Sequence, residues 1–174
     1  LLHPRIVEMI AYCRQRNLHA EISTNAALLT AEMSQAILEA GLGAIYLCMD
    51  GVTPETYEQV RREASFERTR ENILKFLELR VRGGYERPRT KLQIVEIAPT
   101  AGQVEAFKQA WRVPGVDQIN VKAFDSWGGQ IQDISALRAG EKPQLPPRFP
   151  CPNLWYHAHI YWDGTLVCCD RDFD

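Results

Sequence analysis

Ala44-Ile45-Tyr46-Leu47-Cys48-Met49-Asp50-Gly51 is the stretch whose reading decides the fold. Its apolar run is continuous, the pattern of a strand covered on both faces, and it delivers Asp50-Gly51 at its C-terminal end. Helical patterns flank it. Upstream, Thr30 caps a predicted helix striped by Met33, Ala36, Ile37 and Ala40, and Gly41 ends it as helix C-termini prefer. Before that, residues 19–24 read as a short strand closing in Ser23-Thr24-Asn25. A first helix over residues 4–16 has Pro4 in its opening turn and Ile6, Met9, Ile10 and Cys13 at the spacing of one buried stripe. Downstream, Thr53-Pro54 starts a short helix carrying Tyr57 and Val60. Ser65 caps a longer one striped by Phe66, Ile73, Leu74, Leu77 and Val81 before Gly83-Gly84. Residues 91–98 form the next strand, 102–111 a helix, and 118–124 an alternating strand after the Pro114-Gly115 break. The order αβαβααβαβ implies βα units, a parallel sheet and right-handed crossovers.

Composition narrows the function. The chain has 174 residues, 20 Lys+Arg against 22 Asp+Glu and 45% hydrophobic residues, which suits one compact domain with an appendage. A net charge of −2 without a basic run gives no footprint for nucleic acid and no polybasic stripe for a membrane surface, so neither partner is expected. The apolar stretches fall far short of the roughly 20 residues that span a bilayer, and no leader-type segment opens the chain, so a cytoplasmic location is expected. The 5 cysteines, an odd number, argue against a disulfide framework. An opening at Leu1-Leu2-His3-Pro4 without Met, and a close soon after Cys168-Cys169, read as the ends of an internal piece.

In parallel α/β architectures ligands sit at the C-terminal ends of the strands. Three such ends are polar here: Ser23-Thr24-Asn25, Cys48-Met49-Asp50-Gly51, and Lys122 with Asp125. Their short side chains suit hydrogen bonding to ribose hydroxyls, an amino group or a carboxylate; the alternative is that each caps its following turn. In residues 118–124, Ile119, Val121 and Ala123 alternate with Gln118, Asn120 and Lys122. In a barrel the polar set would face the cavity, joined by one of Gln93 and Glu96, which sit on opposite faces; otherwise this is an edge strand with one solvated face. Neither a G-x-G-x-x-G nor a P-loop motif occurs, so a dinucleotide or P-loop site is unsupported.

These ordered elements resemble the radical S-adenosylmethionine (SAM) family over about residues 1–125. Leu1-Leu2-His3-Pro4 is similar to the helix start after that family's second barrel strand. Thr24-Asn25-Ala26 resembles a third strand ending Thr-Asn-Gly, with Ala in place of Gly, and Cys48-Met49-Asp50-Gly51 a fourth ending Ser-Leu-Asp-Gly. Tyr57, Arg61 and Ser65-Phe66 recur before a long helix. The resemblance implies strands 3–6 of a partial TIM-barrel-like parallel sheet. It implies SAM contacts at Ser23, Thr24, Asn25, Cys48 and Asp50, with a carboxylate partner at Arg61. The C-x-x-x-C-x-x-C that would hold the catalytic [4Fe-4S] cluster is not in this sequence. A parent protein would carry it roughly 70 to 90 residues before Leu1, from two further βα units.

After a segment at 126–150 broken by Gly128-Gly129 and several prolines, with a helical turn around residues 131–139, residues 156–162 and 165–169 flank Asp163-Gly164 as a β-hairpin. Cys151, twelve residues, Gly164, four residues and Cys169 resemble the start of a SPASM or twitch domain, which holds an auxiliary Fe–S cluster. That resemblance makes Cys151, Cys168 and Cys169 metal ligands, with only one of the adjacent pair expected to point inward. Two alternatives stand: buried packing cysteines, and a zinc site combining Cys151 and Cys169 with His157 and His159. The expected parent is a radical SAM enzyme. It would generate a 5′-deoxyadenosyl radical for hydrogen abstraction from a peptide, protein or small-molecule substrate, with flavodoxin or ferredoxin as electron donor. The chain alone would be inert, and a homo-oligomer is expected through its unpaired edge at residues 19–24 or through its C-terminal hairpin. The contrasting reading is a zinc-binding or metal-free α/β binding or scaffold module.

Overall fold

The computed structural model describes residues 1–125, 137–139, 151–156, 159–160 and 164–169. The chain divides into two units, Leu1–Phe124 and Asp125–Asp174. The first is built from α1 (Ile6–Gln15), β1 (Glu21–Thr24), α2 (Ala31–Ala40), β2 (Ala44–Cys48), α3 (Pro54–Val60), α4 (Phe66–Arg82), β3 (Arg89–Glu96), a 3-10 turn (Ala101–Gln103), α5 (Val104–Ala110) and β4 (Gln118–Ala123). The four strands form one sheet in the order β1-β2-β3-β4. All three pairings are parallel.

The helix starts follow the capping chemistry of the sequence. The Thr30 hydroxyl accepts from the Met33 amide at 3.2 Å, and the Ser65 hydroxyl from that of Arg68 at 3.3 Å. Thr53 caps α3, with Pro54 in its first turn, and Gly41 closes α2 at φ 80°. The first helix starts later than the proline suggests. His3 and Pro4 form a turn in which the Arg5 amide donates to His3 Nδ1 at 3.1 Å, and the helix begins at Ile6.

Register assigns the two faces of the sheet. Ile45 and Leu47 of β2, Leu92 and Ile94 of β3, and Ile22, Ile119 and Val121 of the outer strands share one face. They pack in one core with Ile10, Ile37, Tyr57, Ile73, Phe76, Leu77 and Phe107 from the helices. Burying a side chain of this size contributes about 1.5–3 kcal/mol, so this face holds the unit together. The opposite face carries Ser23, Tyr46, Cys48, Lys91, Gln93, Gln118, Asn120 and Lys122. The start of β4 is pinned by Arg80, which donates to the Gly115 carbonyl at 2.9 Å and pairs with Asp117 at 3.0 Å.

In the second unit α6 (Asn153–Tyr156) precedes β5 (His159–Ile160) and β6 (Leu166–Val167), which pair antiparallel. Gly164 adopts the left-handed region at φ 91°, but the pairs His159↔Val167 and Ile160↔Leu166 leave an odd number of residues between partners, so the register is not that of the expected two-residue Asp163-Gly164 turn. Tyr156, expected to open the first hairpin strand, instead ends the short helix, where it is 81% exposed. Apart from residues 137–139, the expected segment 126–150 lies outside the described residues, as do His157 and Asp163. Among the described residues no helix is long and apolar enough to cross a membrane.

Candidate functional site

A chain of polar side chains crosses all four strands on the face away from the core. Cys48, Gln93 and Asn120 are register partners. Asn120 Nδ2 donates to Gln93 Oε1 at 3.0 Å, and Gln93 Nε2 donates to Cys48 Sγ at 3.5 Å. Cys48 Sγ and the Ser23 hydroxyl share a hydrogen bond at 3.4 Å. Its centre is covered while its ends are accessible, since Cys48 and Gln93 are buried, Asn120 half-buried and Ser23 exposed. One step toward the strand starts, Lys91 Nζ donates to the Tyr46 hydroxyl at 2.7 Å, which raises the pKa of the ammonium.

Burial pushes the Cys48 thiol above its ordinary range. The Ser23 hydrogen bond and the charges of Arg61 and Lys122 oppose that rise, and Asp50 adds to it. At neutral pH the group is therefore a protonated thiol, a weak hydrogen-bonding partner in place of a hydroxyl rather than a nucleophile.

Beyond β2 the chain reverses through Asp50-Gly51 into α3. Asp50, 2% exposed, accepts from the Val95 amide at 2.9 Å and from Arg61 Nη2 at 2.6 Å and Nε at 2.8 Å. One carboxylate thus ties the ends of β2, β3 and α3 together. Arg61, expected among the cofactor contacts, is paired within the chain to Asp50, and 37% of its side chain stays exposed. Gly51 permits the reversal at φ 152°, and a Cβ there would lie 2.8 Å from the Tyr57 amide nitrogen. Gly51→Ala should push α3 outward and cost about 1–3 kcal/mol in urea unfolding. An unchanged midpoint would show that the helix start yields without strain.

Thr24 does not join this site, which corrects the sequence expectation. It alternates with Ser23 and so turns to the core face opposite Leu47, where its hydroxyl accepts from the Ala26 amide at 3.1 Å. Asn25 Oδ1 is likewise engaged, accepting from the Ala27 amide at 3.2 Å, which leaves its Nδ2 for a ligand. The following Ala26 adopts φ 57° and is fully buried. Alanine here meets the backbone demand that glycine meets in the Thr-Asn-Gly pattern, at a cost of about 1–2 kcal/mol. Gln93, which the alternation offered as one of two lining residues, is the one that joins the polar chain. Glu96 takes the opposite parity and is exposed.

In the second unit Cys151 and Cys168 are exposed and Cys169 is half-buried. Among the described residues no three His, Cys, Asp or Glu side chains gather closely enough to hold a metal ion. A cleft of about 610 Å³ opens at the opposite end of the strands, lined by Arg14, His19, Gly41, Gly43, Tyr85 and Arg87 among others. It lies away from the polar chain, and the exposed Arg14, His19 and Arg87 are solvated side chains on its walls.

No family model matches this sequence. The chain is 32% identical, over a 194-residue alignment, to the tungsten-containing aldehyde ferredoxin oxidoreductase cofactor-modifying protein of Pyrococcus furiosus. That alignment covers 98% of this chain and 54% of the relative, so the chain spans about half the relative's length.

Proposed function

We propose that this chain is the substrate- and SAM-binding arc of a radical SAM enzyme. The observation that carries the reading is the polar chain Ser23–Cys48–Gln93–Asn120 beside the Asp50–Arg61 pair, on a parallel sheet whose strands follow one another in sequence order. Consecutive parallel strands joined by right-handed crossovers place their helices on one side and never reverse, so such a sheet has no switch-point crevice. Continued in the same sense it closes into a barrel, with the helix-packed face outside and the polar face as lumen. A doubly wound open sheet, which does reverse, is covered by helices on both faces and would have no use for a polar ladder across its centre. The name of the Pyrococcus furiosus relative, a cofactor-modifying protein, supports a synthetic rather than a scaffolding role.

Ser23, Cys48 and the Asn25 amide nitrogen would hold SAM, while Asp50 and Arg61 fix the strand ends that carry them. SAM, when reductively cleaved, supplies a 5′-deoxyadenosyl radical that takes hydrogen from the substrate. The protein's own contribution is orientation: two hydrogen bonds lock the amides of Gln93 and Asn120, so their remaining donor and acceptor positions face a bound molecule already aligned. An iron–sulfur cluster does not fit the described residues, and no step is assigned to one.

The test uses the natural polypeptide that contains this chain, reconstituted anaerobically with iron and sulfide and reduced by dithionite or a flavodoxin-class donor. SAM-dependent release of 5′-deoxyadenosine is expected, falling at least tenfold in Ser23→Ala/Asn25→Ala with the unfolding midpoint kept. A reconstituted four-iron protein that releases none would overturn the reading. One zinc per chain retained through chelation would assign the metal-binding module instead.

A further inference from the structure

Three charged side chains act on the Cys48 thiol: Asp50, Arg61 and Lys122. Two of them neutralise each other across 2.6 Å. Lys122 is exposed and, among the described residues, makes no ion pair, at strand ends that also carry the carboxylates of Glu96 and Asp125. The other lysine of this face, Lys91, is engaged by the Tyr46 hydroxyl. Lys122 follows Asn120 by one alternation of β4, on the same face, opposite Val95. Asn120 is half-buried, and donation of one Nδ2 hydrogen to Gln93 Oε1 fixes the plane of its amide.

An ammonium and an oriented amide N–H offer two donors to the two oxygens of one carboxylate, and a hydrogen bond to a charged acceptor is about twice as strong as a neutral one. We infer that Lys122, with the second Nδ2 hydrogen of Asn120, is a subsite for a carboxylate of the substrate on this face. The word substrate rests on the proposed function; the carboxylate site itself rests on the geometry. SAM also carries a carboxylate, and the experiment separates these two sources.

The isotope-labelled chain is titrated by NMR with N-acetylglycine, and with N-acetylglycinamide, which has the same shape without the charge. Saturable shifts at residues 120–123 are expected for the acid only, and Lys122→Met should weaken its binding at least tenfold. Lys122→Arg should restore binding to within about threefold. SAM affinity, where SAM binds, should stay within twofold in Lys122→Met. Lys122 is exposed, so an unchanged unfolding midpoint in that variant keeps the comparison clean. Equal responses to acid and amide would overturn the inference, as would shifts confined to the Arg14 and Arg87 cleft. Loss of SAM affinity in Lys122→Met without any effect of N-acetylglycine would also overturn it, since the carboxylate would then be SAM's. The N-acetylglycine arm needs neither SAM nor a cluster, so a chain that binds no SAM removes the proposed function while leaving this result readable.

Discussion

Tyr57→Ala should cost about 3–5 kcal/mol of unfolding free energy, the range for emptying a large aromatic site in a core. The side chain is completely buried, and its ring meets Phe66 edge-on at 5.9 Å and 68°. Its hydroxyl donates to Thr69 Oγ1 at 3.0 Å, and Thr69 is itself 1% exposed. Truncation therefore loses the transferred area and the aromatic pair, and strands a buried hydroxyl between α3 and α4. Tyr57→Phe removes only the hydrogen bond and should cost about 1 kcal/mol. Urea unfolding measured for both variants, with an unchanged slope, checks the pair. A Tyr57→Ala cost below about 1 kcal/mol would mean that the α3–α4 corner collapses around the gap.

Tyr57 also marks where sequence and structure part in meaning. Tyr57, Arg61 and Ser65-Phe66 are spaced like a functional signature, yet in the structure the tyrosine and Phe66 pack on each other, Ser65 caps α4, and Arg61 binds Asp50. The set builds the corner behind the strand ends. The elements of the first unit were legible because each rests on local chemistry: hydroxyl caps at Thr30, Thr53 and Ser65, glycine at the end of α2, a continuous apolar run in β2, alternation in β4. The polar chain was legible only in pieces. Alternation put Asn120 and Lys122 on one face, but nothing local aligns Asn120 with Gln93 and Cys48, because that depends on the register of three strands. Thr24 was misplaced for the opposite reason. It neighbours Ser23 in a polar run, and the period of two sends its side chain to the core, where a bond to the Ala26 amide satisfies the hydroxyl. Tyr156 went to a helix because strand propensity is decided by what a residue packs on, and at 81% exposure it packs on little.

The remaining large effect is expected at the Asp50–Arg61 pair, and its sign of asymmetry is the informative part. Arg61→Leu keeps the aliphatic stem but leaves the Asp50 carboxylate, 2% exposed, with the Val95 amide as its one remaining donor among the described residues. Removing one partner of a buried pair costs about 3–5 kcal/mol, and the 37% exposure of the Arg61 side chain lets water replace part of the loss, so about 2–4 kcal/mol is expected. Asp50→Asn strands no buried charge. Its amide oxygen can still accept from Val95, and the half-exposed guanidinium turns to solvent, so about 1–2 kcal/mol should be lost. In the double variant the buried carboxylate is gone, and the two costs should fall short of additivity by about 1–2 kcal/mol. Urea unfolding of the four proteins at neutral pH gives the cycle. Equal costs for the two single variants, or strict additivity, would show that Asp50 is reached by water and that the strand ends are held by Gly51 and the core alone. The expected asymmetry would instead identify the carboxylate as the tie that keeps Val95, Arg61 and the Cys48 end of β2 in register with the polar chain.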